Sequence, residues 1–403
     1  MRIIGLDVGC GSAVLCCLDE FPANILQHYK VLRKQKQFYK VLCDRLGADK
    51  LLSLQPNGIV LEPSGHWYSQ FWVTLAKHHG IAIYWVSHTD LYCARGEYGF
   101  KNKRDTEDAL SLAATYFDSS FINDQGQKRY LNYYQNELVV NLRELFLAKE
   151  QLQKLRTNLI AQLRQRLSYE LPEIATSAMK ISEVKGYTPL IYWLATDRAN
   201  TRYDKIHSSS IGQELNIKIS NYTRNHARLI YDIELRYFNY LELLKDAISN
   251  SNFDAYNRVF DRFNFGISVR ALLLFNIYPF EKFLFQGKPL IEREYNDNDR
   301  LQKRDRSLRK FQAFLGMSYS FSDSGKKSMK KFHGSSMIRS HLYAWAVCMV
   351  APSSNRISSD VGRQLSDRYQ ELRKTVKGKD ALIRILFKAT RLLYCELVKE
   401  LVR

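Results

Sequence analysis

Four carboxylates and a serine are the residues through which this sequence could do chemistry. Asp105 and Asp108 stand three apart in Lys-Arg-Asp-Thr-Glu-Asp-Ala, ahead of Ala109, Leu112, Ala113 and Tyr116, which recur at helical spacing. Residues three apart share a helix face, so the two acids project together. Lys101, Lys103 and Arg104 lie just upstream. Acids beside bases at a helix start suit a place where Mg²⁺ and a phosphate meet. The helix dipole alone would also favour acids there. Asp7 lies in the apolar run Arg-Ile-Ile-Gly-Leu-Asp-Val, and Glu62 ends Gly-Ile-Val-Leu-Glu before Pro63. Ser324 opens Ser-Gly-Lys-Lys, with Lys326 and Lys327, a composition that can cradle phosphate or form a plain surface loop.

The elements that must position these groups follow from the apolar pattern. Residues 2–8 predict a buried strand and Ala13–Leu18 a strand returning beside it, across the turn Gly9-Cys10-Gly11-Ser12. A basic stretch, 22–54, reads as helical. A strand at 58–62, a helix at 66–79 and a strand at 81–86 follow. Alternating strands and helices imply a largely parallel sheet, whose chemistry collects at the carboxyl ends of its strands. Asp7 and Glu62 sit at such ends and are expected to converge with Asp105 and Asp108. Four carboxylates in one place repel one another unless cations bind. One or two Mg²⁺ ions would relieve the repulsion and clamp a phosphodiester. A strand ending in Asp, then a Gly-rich turn and another strand, is how RNase H-like folds open, and actin-like kinases open so too. The kinase reading lacks a second Asp-Gly-rich phosphate loop.

Composition narrows the partners. Lys and Arg number 60 against 41 Asp and Glu, a net charge of +19, which points to a polyanion and most often to nucleic acid. Twenty-five tyrosines interleaved with the bases suit base stacking. Seven cysteines without a CxxC pair argue for a reducing compartment and against a zinc site. No stretch approaches 18 uncharged apolar residues, and the N-terminus enters a strand at once, so a soluble, intracellular protein without a membrane partner is expected.

Farther along, leucines at 138, 145, 152 and 159, with Leu142, Leu155, Leu163 and Leu167 filling in, give a near-heptad stripe, predicting a long helix over about 136–169 in a coiled coil or antiparallel hairpin. A second long helix over 220–249 would pair with it, and 172–218 has no clear pattern. Gly266 opens a small-residue helix resembling half of a helix-hairpin-helix, which offers backbone N–H groups to phosphates. Five bases fall within 303–310, and a Ser-, Gly- and Lys-rich segment, expected as a loop, spans 318–334 before a helix carrying Arg339.

Taken in order, these pieces resemble the DEDD transposases of bacterial insertion sequences, the IS one-ten family, which are relatives of the Piv DNA invertase. The resemblance rests on Asp7, on Glu62 in Leu-Glu-Pro-Ser-Gly, and on Asp105 with Asp108 in Lys-Arg-Asp-Thr-Glu-Asp-Ala. It continues in Gly266-Ile-Ser, Ile277-Tyr-Pro-Phe-Glu-Lys-Phe, Phe314-Leu-Gly-Met, Ser324-Gly325, and Gly334 with Arg339. Tyr319 stands where the family pattern has proline, and the stretch from Ser324 to Gly334 is shorter than usual.

The resemblance implies a RuvC-like α/β domain (1–125), a coiled-coil helical arm with an insertion (126–255) and a mainly α C-terminal transposase domain with a serine nucleophile (256–403). It implies DNA recombination through a phosphoserine, with Asp7, Glu62, Asp105 and Asp108 binding Mg²⁺. Ser324 is the expected nucleophile, with Ser322 and Ser320 as alternatives. Lys101, Lys103, Arg104, Lys326, Lys327 and Arg339 are the expected nucleic-acid contacts. The implied partners are donor and target DNA, a structured bridge RNA, and further copies of the chain, a dimer assembling to a tetramer. The rival readings are a RuvC-type, Mg²⁺-dependent, structure-selective nuclease with an idle serine, and an inactive nucleic-acid-binding relative.

Overall fold

β1 (Ile3–Gly9) lies at the centre of a five-stranded sheet and carries Asp7. The structure is a computed structural model and describes residues 1–402 apart from 65–66, 124–125, 132–133, 135, 197, 296–300, 325–326 and 353–357. The chain divides into two compact units, Met1–Glu137 and Leu138–Arg403.

In the first unit, β2 (Ser12–Leu18), β3 (Phe38–Leu42), β4 (Gly58–Leu61) and β5 (Ala82–Trp85) complete the sheet in the order β3-β2-β1-β4-β5. β1, β4 and β5 pair in parallel, whereas β2 is reversed and pairs antiparallel with both β1 and β3. The sheet is therefore mixed rather than largely parallel. The basic stretch expected as helix divides into α1 (Ile25–Lys34), β3 and α2 (Arg45–Ser53). Lys36 adopts φ +54° just after α1, which ends the helix. Phe38, Tyr39 and Val41 then supply the aromatic and branched side chains that suit a short edge strand.

The remaining helices of this unit are α3 (Gln70–His78), α4 (His88–Glu97) and α5 (Asp105–Phe117). One sheet face packs Ile4, Leu6, Ile59 and Leu61 with Trp72 of α3. The other packs Val14 and Cys16 against Ala109, Leu110, Ala113 and Ala114 of α5. Gly5 sets this second contact. A Cβ at Gly5 would lie 1.9 Å from the Ala109 carbonyl oxygen and 2.5 Å from the Ala113 nitrogen. Only a bare backbone on β1 admits α5 so closely.

The second unit begins with the body of α6 (Glu137–Glu170) and continues through α7 (Pro189–Thr196), α8 (Thr201–Ser208), α9 (Ile211–Glu214) and α10 (Asn221–Ile248). α6 and α10 run antiparallel: the Ser220 hydroxyl donates to Glu170 at 2.8 Å, and Arg156 donates to Glu234 at 2.8 Å. The stripe is met in part: of the leucines expected to fill in, Leu142, Leu163 and Leu167 are buried, whereas Leu155 is exposed. Val139, Leu142, Phe146, Ile160, Leu163 and Leu167 are buried, whereas Leu138, Leu145, Leu152 and Leu159 are half-buried.

Beyond these come α11 (Asp254–Arg262), α12 (Ile267–Ile277), the hairpin β6 (Ile291–Tyr295) and β7 (Leu301–Asp305), and α13 (Arg306–Phe314). The hairpin β8 (Ser318–Ser324) and β9 (Lys327–His333) follows, then α14 (Ser336–Trp345), α15 (Asp360–Arg373) and α16 (Gly378–Leu401). Phe280, Phe283, Phe311 and Tyr394 form an aromatic cluster with centroids 5.1–5.9 Å apart. Residues 318–324 and 327–333 are thus two paired strands rather than a loop. Among the described residues, no helix is long and apolar enough to cross a membrane.

Candidate active site

Asp7 is half-buried on β1, opposite Val14 of β2. The close approach at Gly5 brings Ala109 onto the strand about one helical turn from Asp105, so the N-terminus of α5 falls beside Asp7. The Asp7 carboxyl is pushed up to about 7, first by burial and then by the negative charges of Asp108, Asp105 and Glu62, with Lys103 opposing. The four acids singled out in the sequence therefore act on one another, and the base just before α5 acts on them.

Each acid has its own surroundings. Asp105 is exposed at the first turn of α5. Asp108 is 2% exposed, and its Oδ1 accepts from Arg95 Nη1 at 2.7 Å. Burial raises its carboxyl above the ordinary range against the pull of Arg95, and Glu62 adds to the rise. Glu62 lies one residue beyond β4, ahead of Pro63. Its Oε1 accepts from the Ser64 hydroxyl at 3.1 Å, and its Oε2 lies 2.8 Å from His88 Nδ1. Glu107, in the same turn of α5, is buried, and its Oε2 has no hydrogen-bond partner.

His88 and Arg95 are the residues that sequence reasoning missed. They lie seven apart on α4, two turns along one face, and α4 follows β5 directly. A basic pair at that spacing after a parallel strand was the available signal.

Carboxylate oxygens are the donors that Mg²⁺ takes, and their mutual repulsion suits a divalent cation. Among the described residues, however, no group of three or more His, Cys, Asp or Glu is arranged to hold a metal ion. Arg95 and His88 engage two of the acids instead. The donor chemistry fits the ion, in an arrangement where protein donors occupy part of the set.

Residues 4–172 match the family model of the IS110-type DEDD transposases. This segment of the chain belongs to that transposase family. No curated protein matches the chain. The transposase segment holds Asp7, Glu62, Asp105 and Asp108 as well as His88 and Arg95, and it runs through α6. Lys101, Lys103 and Arg104 lie exposed within it, and Arg104 stands 3.9 Å from Glu107.

Ser324 lies outside the matched segment, in the second unit, as the last residue of β8 and in register with Lys327. Ser320 and Ser322 are on the same strand; Gly325 and Lys326 fall outside the described residues. The root of this hairpin is closed by two glycines. Gly316 has φ +79° and Gly334 φ +89°, and a Cβ on Gly334 would lie 2.8 Å from the Gly316 Cα. Arg339 has partners within the protein: it donates to the Gly316 carbonyl at 3.0 Å and lies over the Phe332 ring at 4.7 Å.

Proposed function

We propose that the chain is an insertion-sequence transposase that cuts and rejoins DNA, with Asp7, Glu62, Asp105 and Asp108 holding Mg²⁺ and Ser324 acting as nucleophile. The observation that carries this reading is the close approach at Gly5, which sets the N-terminus of α5 beside Asp7, so that Asp108, Asp105 and Glu62 act on it within the family-matched segment. When bound, Mg²⁺ would neutralise that charge and polarise a phosphodiester.

In the proposed reaction the Ser324 hydroxyl oxygen attacks phosphorus. The P–O bond to a deoxyribose oxygen breaks, that oxygen takes up a proton, and DNA is left as a phosphoserine ester. Attack by another strand's hydroxyl reverses the step and regenerates the serine. One phosphoester replaces another throughout, so exchange needs no nucleotide cofactor. Lys103 contributes positive charge beside the acids, where a phosphate would lie. The resemblance further suggests guidance by a bridge RNA and a tetramer in which the acids of one copy meet the serine of another.

The test combines the purified chain, Mg²⁺, the element's non-coding RNA and end-labelled target DNA, followed by a denaturing gel. A protein–DNA adduct lost in both Ser324→Ala and Asp7→Ala supports the reading. Cleavage without an adduct, untouched by Ser324→Ala, overturns the serine step and leaves a metal-dependent nuclease.

A further inference from the structure

The second unit carries a groove of about 640 Å³ between the end of β7, α13 and α16, lined, among the described residues, by none of those proposed as catalytic. Lys303, Arg304, Arg309, Lys388 and Arg391 line it, together with Phe387. The acid among the lining residues is Asp305, and its carboxylate already caps α13 by accepting the Leu308 N–H at 2.8 Å. Among the described residues, Lys303, Arg309, Lys388 and Arg391 have no ion-pair partner within the protein. Glu371 acts on Lys388 only through space, because its carboxylate is bonded to Arg368.

We propose that this groove holds the phosphodiester backbone of a nucleic acid. Cations gathered around one groove from β7, α13 and α16 repel each other, and a polyanion settling there relieves that repulsion. On α16, Arg384, Lys388 and Arg391 recur at four and three residues, so they form one face with about 6 Å of rise over each four residues. A row of positive charge at that pitch matches an extended chain of phosphates better than a single small anion.

Its place in the fold ties it to the serine hairpin. Phe387 stacks on Tyr319 of β8, with centroids 5.3 Å apart and planes at 29°, and Tyr319 pairs with Phe332 of β9. The groove therefore shares a wall with the hairpin root, and Ser324 is five residues farther along β8, roughly 16 Å at strand rise. Choosing nucleic acid over another polyanion rests on the transposase reading; the unpaired cations do not.

The test is fluorescence anisotropy with the full chain in Mg²⁺-free buffer at several salt concentrations. The probes are a labelled single-stranded DNA, its duplex and an RNA of the same sequence. Lys388→Gln with Arg391→Gln is expected to flatten the slope of log K against log salt by about 1.8 for a duplex, or about 1.4 for a single strand. Lys388→Arg with Arg391→Lys is expected to leave it unchanged. The probe whose slope moves identifies the ligand. If the neutral pair melts below wild type, Lys303→Gln with Arg309→Gln, on exposed side chains, reads the same slope. An unchanged slope with all three probes, an equal loss in the charge-retaining pair, or no binding by wild type overturns the groove. Asp7→Ala, run alongside in Mg²⁺, judges the acid site separately. Lost cleavage with an unchanged slope leaves that reading standing whatever the groove does.

Discussion

Arg95 and Asp108 meet at 2.7 Å with 13% and 3% of their side chains exposed, an ion pair taken largely out of water. Removing one member of such a pair strands the other charge, typically at a cost of about 3–5 kcal/mol. Arg95→Met is expected to lower stability by that order in EDTA. Mg²⁺ is expected to restore more of it in the variant than in wild type, because the ion can take over the charge of Asp108. Thermal unfolding with and without Mg²⁺ measures both. Equal losses under the two conditions would count against a metal at Asp108.

Gly5→Ala tests how the acids are brought together. The new methyl would overlap the Ala109 carbonyl at 1.9 Å, and backbone on both sides leaves nothing flexible to yield. Overpacking a tight core contact costs about 1–3 kcal/mol and sometimes more. The expected result is a lower melting temperature together with loss of metal-dependent cleavage, even though no acid is changed.

Asp7 predicts a pH dependence for the metal-free chain. The folded carboxyl keeps its proton up to about 7, whereas an unfolded aspartate loses it near 4. Between those values the folded state binds more protons, so stability is full below about pH 4 and falls as pH rises through 7. Asp7→Asn is expected to remove most of this fall and to leave a metal-free chain more stable than wild type at pH 8. Urea midpoints from pH 4.5 to 8 in EDTA provide the check.

In the second unit, Glu234 is wholly buried and accepts from Arg156, from the Thr188 N–H at 2.7 Å and from the Thr188 hydroxyl at 2.7 Å. Arg156 also donates to the Met179 carbonyl, so the pair ties the 171–188 segment between α6 and α10. Glu234→Ala is expected to cost about 3–5 kcal/mol. Arg156→Met with Glu234→Leu should recover much of that loss. A double variant no better than the single one would show that the tie to Thr188 and Met179 matters more than the buried charge.

Much of the first unit was legible because its strands are short apolar runs punctuated by Gly and Pro. Asp7, Glu62, Asp105 and Asp108 could be anticipated at strand and helix ends for the same reason. β3 was not legible, since an edge strand of Phe-Tyr-Lys-Val-Leu among basic residues carries no strong alternation. On α6 only Leu142, Leu163 and Leu167 of the expected stripe are buried, because leucine is abundant on two faces and the buried face also admits Lys149 and Arg156, which find partners in Glu150, Ser268 and Glu234. The hairpin at 318–333 was hidden by Ser, Gly and Lys, which favour loops. Its strands are fastened by an aromatic cross-strand pair, Tyr319 with Phe332, at a centroid distance of 4.6 Å. His88 and Arg95 went unseen because their spacing after β5 marks them only as sharing a face of α4, and their role depends on α4 packing beside α5.

The two α4 side chains also set terms for any ion that enters. Were the acids bare, a cation would bind as tightly as their combined repulsion allowed and would be slow to leave. With Arg95 on Asp108 and His88 on Glu62, an incoming ion must compete with donors already tethered in place. Affinity is lowered by the strength of those contacts, and exchange is eased because departure is met by ready replacements. On the proposed reading, a magnesium ion there would be held reversibly, and Arg95 and His88 would neutralise part of the acidic charge in its absence.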